Sequence, residues 1–137
     1  MTGHILSLEE DPKRVAEFEL AIESPGHHLV NFESFFAALS YMNQHRVDMV
    51  LCDVHLEHAS GFEFLKEIRN HPLGKNIPFL FYCIEPSDLT KSLVKSILVA
   101  ADRLGATDVI VMERFKAGEL CHEVEKYLPE RIERKCA

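Results

Sequence analysis

The sequence lacks the patterns of membrane-spanning and nucleic-acid-binding chains. Its longest apolar stretch, residues 77–84, contains a proline and is far shorter than the roughly 18 residues of a spanning helix. No signal peptide is recognisable. Lys and Arg form no cluster, and the formal net charge of −7 opposes a polyphosphate partner, because such partners are bound through clustered cations. We therefore expect no membrane and no direct nucleic-acid contact.

The sequence has few cysteines, and they are not spaced as metal ligands or redox pairs usually are. The four cysteines are widely separated and form no C-x-x-C pair, so neither a zinc knuckle nor a redox dithiol is indicated. They are Cys52, Cys83, Cys121 and Cys136. We expect all four to be reduced thiols, as in a cytoplasmic protein.

The 137 residues fit one compact domain. Apolar residues make up 47% and charged residues 27%, which is ordinary for a globular chain. We expect the domain to cover residues 1–129. The charged segment 130–137 is expected to be a frayed helix or a solvated end. The alternative interpretation is that this segment is a connection to a further domain.

Five short apolar runs alternate with segments of helical periodicity. The runs are residues 5–8, 29–32, 49–52, 79–82 and 109–112. The fourth helix is expected to begin near Ser87 or Asp88 and to stop at Gly105. Its apolar positions are Leu93, Ile97, Ala101 and Leu104. The pattern predicts an α/β fold of (βα)5 type, with a parallel flavodoxin-like sheet in the order 2-1-3-4-5 and helices on both faces.

Three carboxylates follow the first and third strands of this sheet. Glu9, Glu10 and Asp53 would meet at its carboxyl edge, where open α/β sheets bind ligands. Carboxylates in such proximity repel one another unless a cation shares the site. Hard oxygen ligands suit Mg²⁺, and a carboxylate beside Mg²⁺ can attack a phosphoryl group.

The sequence motifs and their order resemble those of the receiver domain of response regulators, the CheY-like proteins of two-component signalling. The fragments are LEEDP at residues 8–12, VLCD at 50–53, Gly61 eight positions after Asp53, LKEIR at 65–69, IP at 77–78 and GATD at 105–108. The resemblance covers nearly the whole chain. It implies a cytoplasmic phosphorelay protein that is a signalling domain rather than an enzyme.

The resemblance also implies roles for individual residues. Asp53 would accept a phosphoryl group from a histidine kinase, a phosphotransfer protein or a small phosphodonor, and a downstream signalling protein would respond. Glu10 and Asp53 would bind Mg²⁺ directly, His55 through its backbone carbonyl, and Glu9 through a water molecule. For Glu9 and Glu10 the alternative is a solvated acidic turn that caps the first helix.

Four positions depart from the family pattern. Cys83 replaces a Thr or Ser that donates to the phosphoryl group, and Ile84 replaces a small residue. Val109 replaces an aromatic switch residue, and Met112 replaces a Lys. Arg114 could compensate if the fifth strand continued, and the long interval between Cys83 and Met112 predicts an extended fourth helix.

These departures keep other functions open. A pseudo-receiver would act as an interaction module without phosphorylation. A phosphohydrolase of the haloacid-dehalogenase type would need an Asp where His55 stands, and a flavin site is opposed by the acidic loop after the first strand. A transition-metal site at Cys52, His55, Glu57 and His58 is conceivable, although its spacing is not diagnostic.

Overall fold

Five strands alternate with five helices in the computed structural model, which describes residues 1–136. The strands are β1 (His4–Leu8), β2 (His28–Phe32), β3 (Met49–Asp53), β4 (Phe79–Ile84) and β5 (Asp108–Met112). The helices are α1 (Pro12–Glu23), α2 (Phe35–Met42), α3 (Gly61–Asn70), α4 (Asp88–Arg103) and α5 (Ala117–Tyr127). The predicted (βα)5 order is confirmed. Within these residues no helix has the length and apolar character needed to cross a membrane.

The strands form one parallel sheet in the predicted order β2-β1-β3-β4-β5. The register pairs Leu8 with Cys52 and Asp53 with Tyr82, so β1, β3 and β4 end side by side. One apolar cluster joins the sheet to α1 and α5. A second joins the opposite face to α2, α3 and α4. Both faces are therefore covered, as buried parallel strands require.

The ends of the helices follow the side-chain chemistry of the sequence. Ser87 is the N-cap of α4 and accepts a hydrogen bond from the N–H of Thr90. Gly105 follows α4 with a φ of +94°, which favours glycine. Asp11, rather than Glu9 or Glu10, caps α1 through the N–H of Lys13. The acidic pair is thus not the cap of this helix.

Helix α4 is the longest of the described helices, with 16 residues, in agreement with the extended fourth helix predicted. Its buried residues are Thr90 and Ala101, whereas Leu93 is 46% exposed. The prediction that Leu93 belongs to the buried face is therefore wrong. Leu89 in the first turn is 71% exposed, so the first turns of α4 present apolar side chains to the outside.

The segment after α5 is not a solvated end. It folds back on the domain, and Ile132 is 1% exposed within the same apolar cluster as Leu128. Arg134 donates hydrogen bonds to the carbonyl oxygens of Leu128 and Ile132, both at 2.7 Å. The expectation of a frayed or solvated tail is thus wrong for residues 130–136, because the segment carries an apolar anchor. Ala137 lies outside the described residues.

The fold-back also joins two cysteines. Cys121 and Cys136 form a disulfide across a sequence separation of 15 residues, so the expectation of four reduced thiols is wrong for this pair. Glu125 lies beside it and accepts the N–H groups of Lys135 at 2.5 Å and Cys136 at 3.1 Å. The Nε2 atom of His27 lies 2.7 Å from the same buried carboxylate. Spacing alone could not predict the pairing, because it depends on the path of the tail.

Candidate functional site

The acidic residues predicted to converge do so at the carboxyl edge of the sheet. They border a cavity of about 600 Å³ beside the ends of β1 and β3. The lining residues are Glu9, Glu10, Asp11, Glu33, Asp53, His55, Glu57 and His58. Glu9, Glu10, Asp53 and His55, which the sequence singled out, therefore share one cavity. No Lys or Arg is among these lining residues.

Glu9 is the buried carboxylate of the cavity. It is 3% exposed, and Oε2 accepts the N–H groups of Glu10 at 2.8 Å and Asp11 at 3.1 Å. The hydroxyl of Tyr82 donates to Oε1 at 3.0 Å. Burial, reinforced by the negative charge of Asp53, raises the pKa of Glu9 to about 7. At neutral pH the carboxyl group therefore carries a proton in a substantial fraction of molecules.

Asp53 is the last residue of β3 and is half-buried. Its Oδ1 accepts the N–H of His55 at 2.9 Å, which fixes the orientation of the carboxylate. Burial raises the pKa of Asp53, while the hydrogen bond from His55 and the positive charge of Arg14 act in the opposite direction. Ionising Asp53 is therefore costly unless a cation is nearby.

Glu10 is tied to the loop between β3 and α3. Its Oε1 lies 2.5 Å from the N of Glu57, and its Oε2 lies 2.8 Å from the N of His58. Both N–H groups donate to the carboxylate, which connects the end of β1 to this loop. The loop thereby closes one side of the cavity.

The donor set fits a hard divalent cation. Three carboxylates lie together. Burial raises the pKa values of Glu9 and Asp53, and the negative charge of Asp53 adds to the rise at Glu9. A divalent cation relieves this conflict, and Mg²⁺ prefers carboxylate, carbonyl and water oxygens. Cys52 does not belong to the cavity, because it is fully buried and its Sγ faces the carbonyl of Asp53 at 3.5 Å. This geometry does not favour a transition-metal site that includes Cys52.

None of the four residues that depart from the family pattern is among the residues lining this cavity, and none offers a hydroxyl or an ammonium group. Cys83 is 2% exposed, and its Sγ lies 3.6 Å from Nε2 of His55. Burial, with the charge of Asp53, raises the pKa of the Cys83 thiol, so the group stays protonated. Met112 is 2% exposed and packs in the cluster with α1 and α5. The half-buried Val109 packs on the opposite face of the sheet.

Arg114 does not compensate for Met112. Strand β5 ends at Met112, and Arg114 lines a separate depression with Val111 and Lys116. The side chain therefore lies apart from the acidic cavity, and the suggested rescue through a continued strand is wrong.

Sequence reasoning missed two residues of the site. Tyr82, which holds Glu9, could have been recognised as the polar-tipped residue in an otherwise apolar strand. Arg14 lies in the first turn of α1, and its charge acts on Asp53. The sequence offers no signal for Arg14, because charged residues are common on the exposed faces of helices.

The sequence model of the response regulator receiver domain matches residues 5–125 of the chain. The chain belongs to the receiver-domain family. The receiver fold accounts for the order of the strands in the sheet.

Two curated relatives agree with this assignment. The receiver domain is 29% identical over 78 residues to the transcriptional regulatory protein GlrR of Escherichia coli K12, covering 57% of this chain and 18% of GlrR. It is 26% identical over 80 residues to the polar-differentiation response regulator DivK of Brucella ovis, covering 58% and 65%. The matched segments thus span less than two thirds of either relative.

Solved structures show the same fold. A putative response regulator from Chloroflexus aurantiacus aligns with a TM-score of 0.77 at 24% identity, covering 93% of this receiver domain and 98% of that chain. The receiver domain of a Pseudomonas aeruginosa sensor histidine kinase aligns with a TM-score of 0.74 at 20% identity, covering 93% and 98%. That structure has a magnesium ion coordinated in its active-site cleft.

Proposed function

We propose that this receiver domain accepts a phosphoryl group on Asp53 with Mg²⁺ bound beside it. Glu10 and Asp53 would hold the ion directly, His55 through its backbone carbonyl, and Glu9 through a water molecule. The proposal rests on one observation, which is the convergence of Glu9, Glu10 and Asp53 in a cavity that no Lys or Arg lines. The magnesium-containing relative gives further support.

The proposed reaction transfers a phosphoryl group to a carboxylate. A carboxylate oxygen of Asp53 forms a bond to phosphorus while the bond from phosphorus to the donor breaks, and its electron pair leaves with the donor. Bound Mg²⁺ would neutralise negative charge on the phosphoryl oxygens. The N–H of His55, 2.9 Å from Oδ1, orients the carboxylate before attack. No proton has to move when the donor is acetyl phosphate, because acetate leaves as an anion.

The donor and the output are proposed from the family. We infer that a histidine kinase or a phosphotransfer protein supplies the phosphoryl group in the cytoplasm, and that a downstream signalling protein responds. The net charge of −7 favours a protein rather than a nucleic acid as the direct partner. The receiver would then act as a switchable surface and not as an enzyme with a separate substrate.

The test is intact-protein mass spectrometry after incubation with acetyl phosphate and Mg²⁺. We expect one added phosphoryl group on the wild type and none on Asp53→Asn. EDTA should prevent the addition. Glu33→Gln is the matched control, because Glu33 is an exposed carboxylate that lines the same cavity. If the wild type gains no phosphoryl group, the proposal fails and the pseudo-receiver interpretation replaces it.

A further inference from the structure

Two cysteines and a carboxylate lie together away from the acidic cavity. The Sγ atoms of Cys121 and Cys136 and a carboxylate oxygen of Glu125 all lie within 4.8 Å of one another. Glu125 contacts His27, which immediately precedes β2, so the cluster lies near the amino ends of the strands. The acidic cavity lies at their carboxyl ends. The cluster is therefore a separate site, independent of the chemistry proposed for Asp53.

The helix and the tail both contribute to this cluster. Cys121 and Glu125 are four positions apart in α5, so their side chains share one face of the helix. Cys136 reaches that face because the tail folds back, with Ile132 buried as its apolar anchor. The N–H groups of Lys135 and Cys136 donate to Glu125 at 2.5 and 3.1 Å. The position of the tail therefore does not depend on the S–S bond alone.

Hydrogen bonds orient the Glu125 carboxylate and leave one oxygen accessible. Nδ1 of His27 accepts the N–H of Gly3 at 2.9 Å, so Nε2 carries the ring hydrogen and donates to Oε2 of Glu125 at 2.7 Å. Oε2 also accepts the N–H of Lys135, whereas within the described residues Oε1 accepts only that of Cys136. A lone pair of Oε1 is therefore available to a metal ion. Carboxylate ligands of metals are commonly held by such hydrogen bonds.

The carboxylate lacks a positively charged partner. Glu125 is 4% exposed, and its ion pair among the described residues is with His27 rather than with a Lys or Arg. Because Nδ1 of His27 accepts a hydrogen bond, the ring is neutral in this arrangement. A buried carboxylate is costly without a cation, and a disulfide supplies none. A metal ion bound to the two sulfurs would supply the missing charge.

The three ligand atoms suit Zn²⁺. Zn²⁺ binds thiolates and carboxylates, whereas Mg²⁺ and Ca²⁺ prefer oxygen ligands alone. A tetrahedral zinc site places neighbouring ligand atoms roughly 3.5–3.8 Å apart. The Cα atoms of Cys121 and Cys136 are 5.9 Å apart, so rotation about the Cα–Cβ bonds can separate the sulfurs by that distance once the S–S bond is broken. Cys136 is half-buried, which gives the ion an entry path and a water molecule access to the fourth position.

We propose that Cys121, Glu125 and Cys136 form a Zn²⁺ site when the disulfide is reduced, and that the ion then holds the tail against α5. A dithiol reductant breaks the S–S bond. Its two electrons and two protons convert the cysteines to thiols, and the reductant itself becomes a disulfide. Each thiol releases its proton on binding, and its sulfur donates an electron pair to Zn²⁺. The disulfide and the metal site exclude each other, because both use the same two sulfur atoms.

The first experiment compares the reduced and oxidised wild type after removal of metal with EDTA and then of the chelator. Co²⁺ is the probe, because thiolate ligands give it an ultraviolet charge-transfer absorption that carboxylates and imidazoles do not. We expect the reduced protein to show this absorption and to lose it when Zn²⁺ displaces Co²⁺. The oxidised protein should show none. Absence of the absorption in the reduced protein would overturn the proposal and leave the pair as a disulfide only.

The second experiment tests the ligands in the reduced protein, with a chromophoric chelator competing for Zn²⁺. Cys121→Ser, Cys136→Ser and Glu125→Gln should each lower the affinity by about tenfold or more, since even residues that only support a metal ligand have effects of that size. The controls are Cys52→Ala, a buried thiol outside the cluster, and Glu123→Gln, a carboxylate of the same helix. Circular dichroism checks that each variant is folded. Equal affinity in Glu125→Gln and Glu123→Gln would overturn the site.

The third experiment tests the hold on the tail by amide hydrogen exchange. In the reduced wild type, Zn²⁺ should slow exchange of the Lys135 and Cys136 N–H groups by about tenfold or more, because both open to solvent when the tail detaches. In Cys121→Ser, Zn²⁺ should have no such effect, although the tail sequence is unchanged. Unaltered exchange in a wild type that binds Zn²⁺ would overturn the proposed effect on the tail.

Discussion

The proton on Glu9 makes the stability of the metal-free domain depend on pH. The pKa of Glu9 rises from 4.5 to about 7 on folding, first because the group is buried and then because Asp53 is negative. A folded-state pKa above the unfolded one means that the folded chain binds more protons between these two values. The stabilisation is therefore complete below pH 4.5 and is lost as the pH rises through about 7.

The magnitude follows from the size of this rise. One pKa unit corresponds to about 1.4 kcal/mol. A rise from 4.5 to about 7 thus makes ionisation of Glu9 cost about 3 kcal/mol in the folded state.

The perturbation is Glu9→Gln, which removes the ionisation and keeps a side chain of the same shape. Its amide oxygen can accept the N–H groups of Glu10 and Asp11, while its NH₂ group can donate to the Tyr82 hydroxyl. In EDTA, the free energy of unfolding of the wild type should fall by about 2.5 kcal/mol more than that of Glu9→Gln between pH 5 and 8. Urea denaturation at several pH values measures this difference.

Glu33→Gln is the control, because it removes an exposed carboxylate from the same cavity. Its pH dependence should follow that of the wild type. If Glu9→Gln also shows the wild-type dependence, Glu9 is not the buried proton-binding group, and the account of the site's electrostatics is wrong.

Three further outcomes follow from the structure. Binding of Mg²⁺ at pH 7 should release a proton from Glu9, since a cation lowers its pKa; calorimetry in buffers of different ionisation enthalpy measures the release, and buffer-independent heats would contradict it. Reducing the Cys121–Cys136 disulfide should lower the unfolding free energy by about 3 kcal/mol, the typical value for a loop of this length; thiol titration follows the reduction, and unchanged stability would show that the other tail contacts suffice. Gly74→Ala should destabilise by roughly 1–3 kcal/mol, because the new Cβ would lie 2.5 Å from a backbone carbonyl oxygen of α3. Gly118→Ala should stabilise by about 0.5–1 kcal/mol, because its Cβ meets nothing within 4 Å in a helix; denaturation of both variants tests the pair, and equal effects would contradict it.

The site combines the proposed phosphoryl acceptor, Asp53, with surroundings that depart from the family pattern. Asp53 keeps its place beside Glu9 and Glu10, but Cys83 and Met112 give it neither a hydroxyl nor an ammonium partner. The structure offers other polar partners instead. Tyr82 holds the buried Glu9, and the charge of Arg14 acts on Asp53.

The sequence determined the fold because its signals are local. Alternating apolar runs and helical faces predicted each strand and helix, and Ser87 and Gly105 predicted the ends of α4 within a residue. The sheet order followed from the right-handed connection of parallel strands. The convergence of Glu9 and Asp53 then followed from the sheet order, because parallel strands end at the same edge.

Only the tertiary structure decided which distant residues meet. The disulfide between Cys121 and Cys136 and the burial of Ile132 depend on the path of the tail, which no periodicity encodes. The contact of Arg14 with Glu85 likewise joins residues 71 positions apart in sequence (85 − 14). Local patterns specify the hydrogen-bonded elements, whereas such pairings arise only when those elements pack, and packing sets the pKa values and the charge balance of the site.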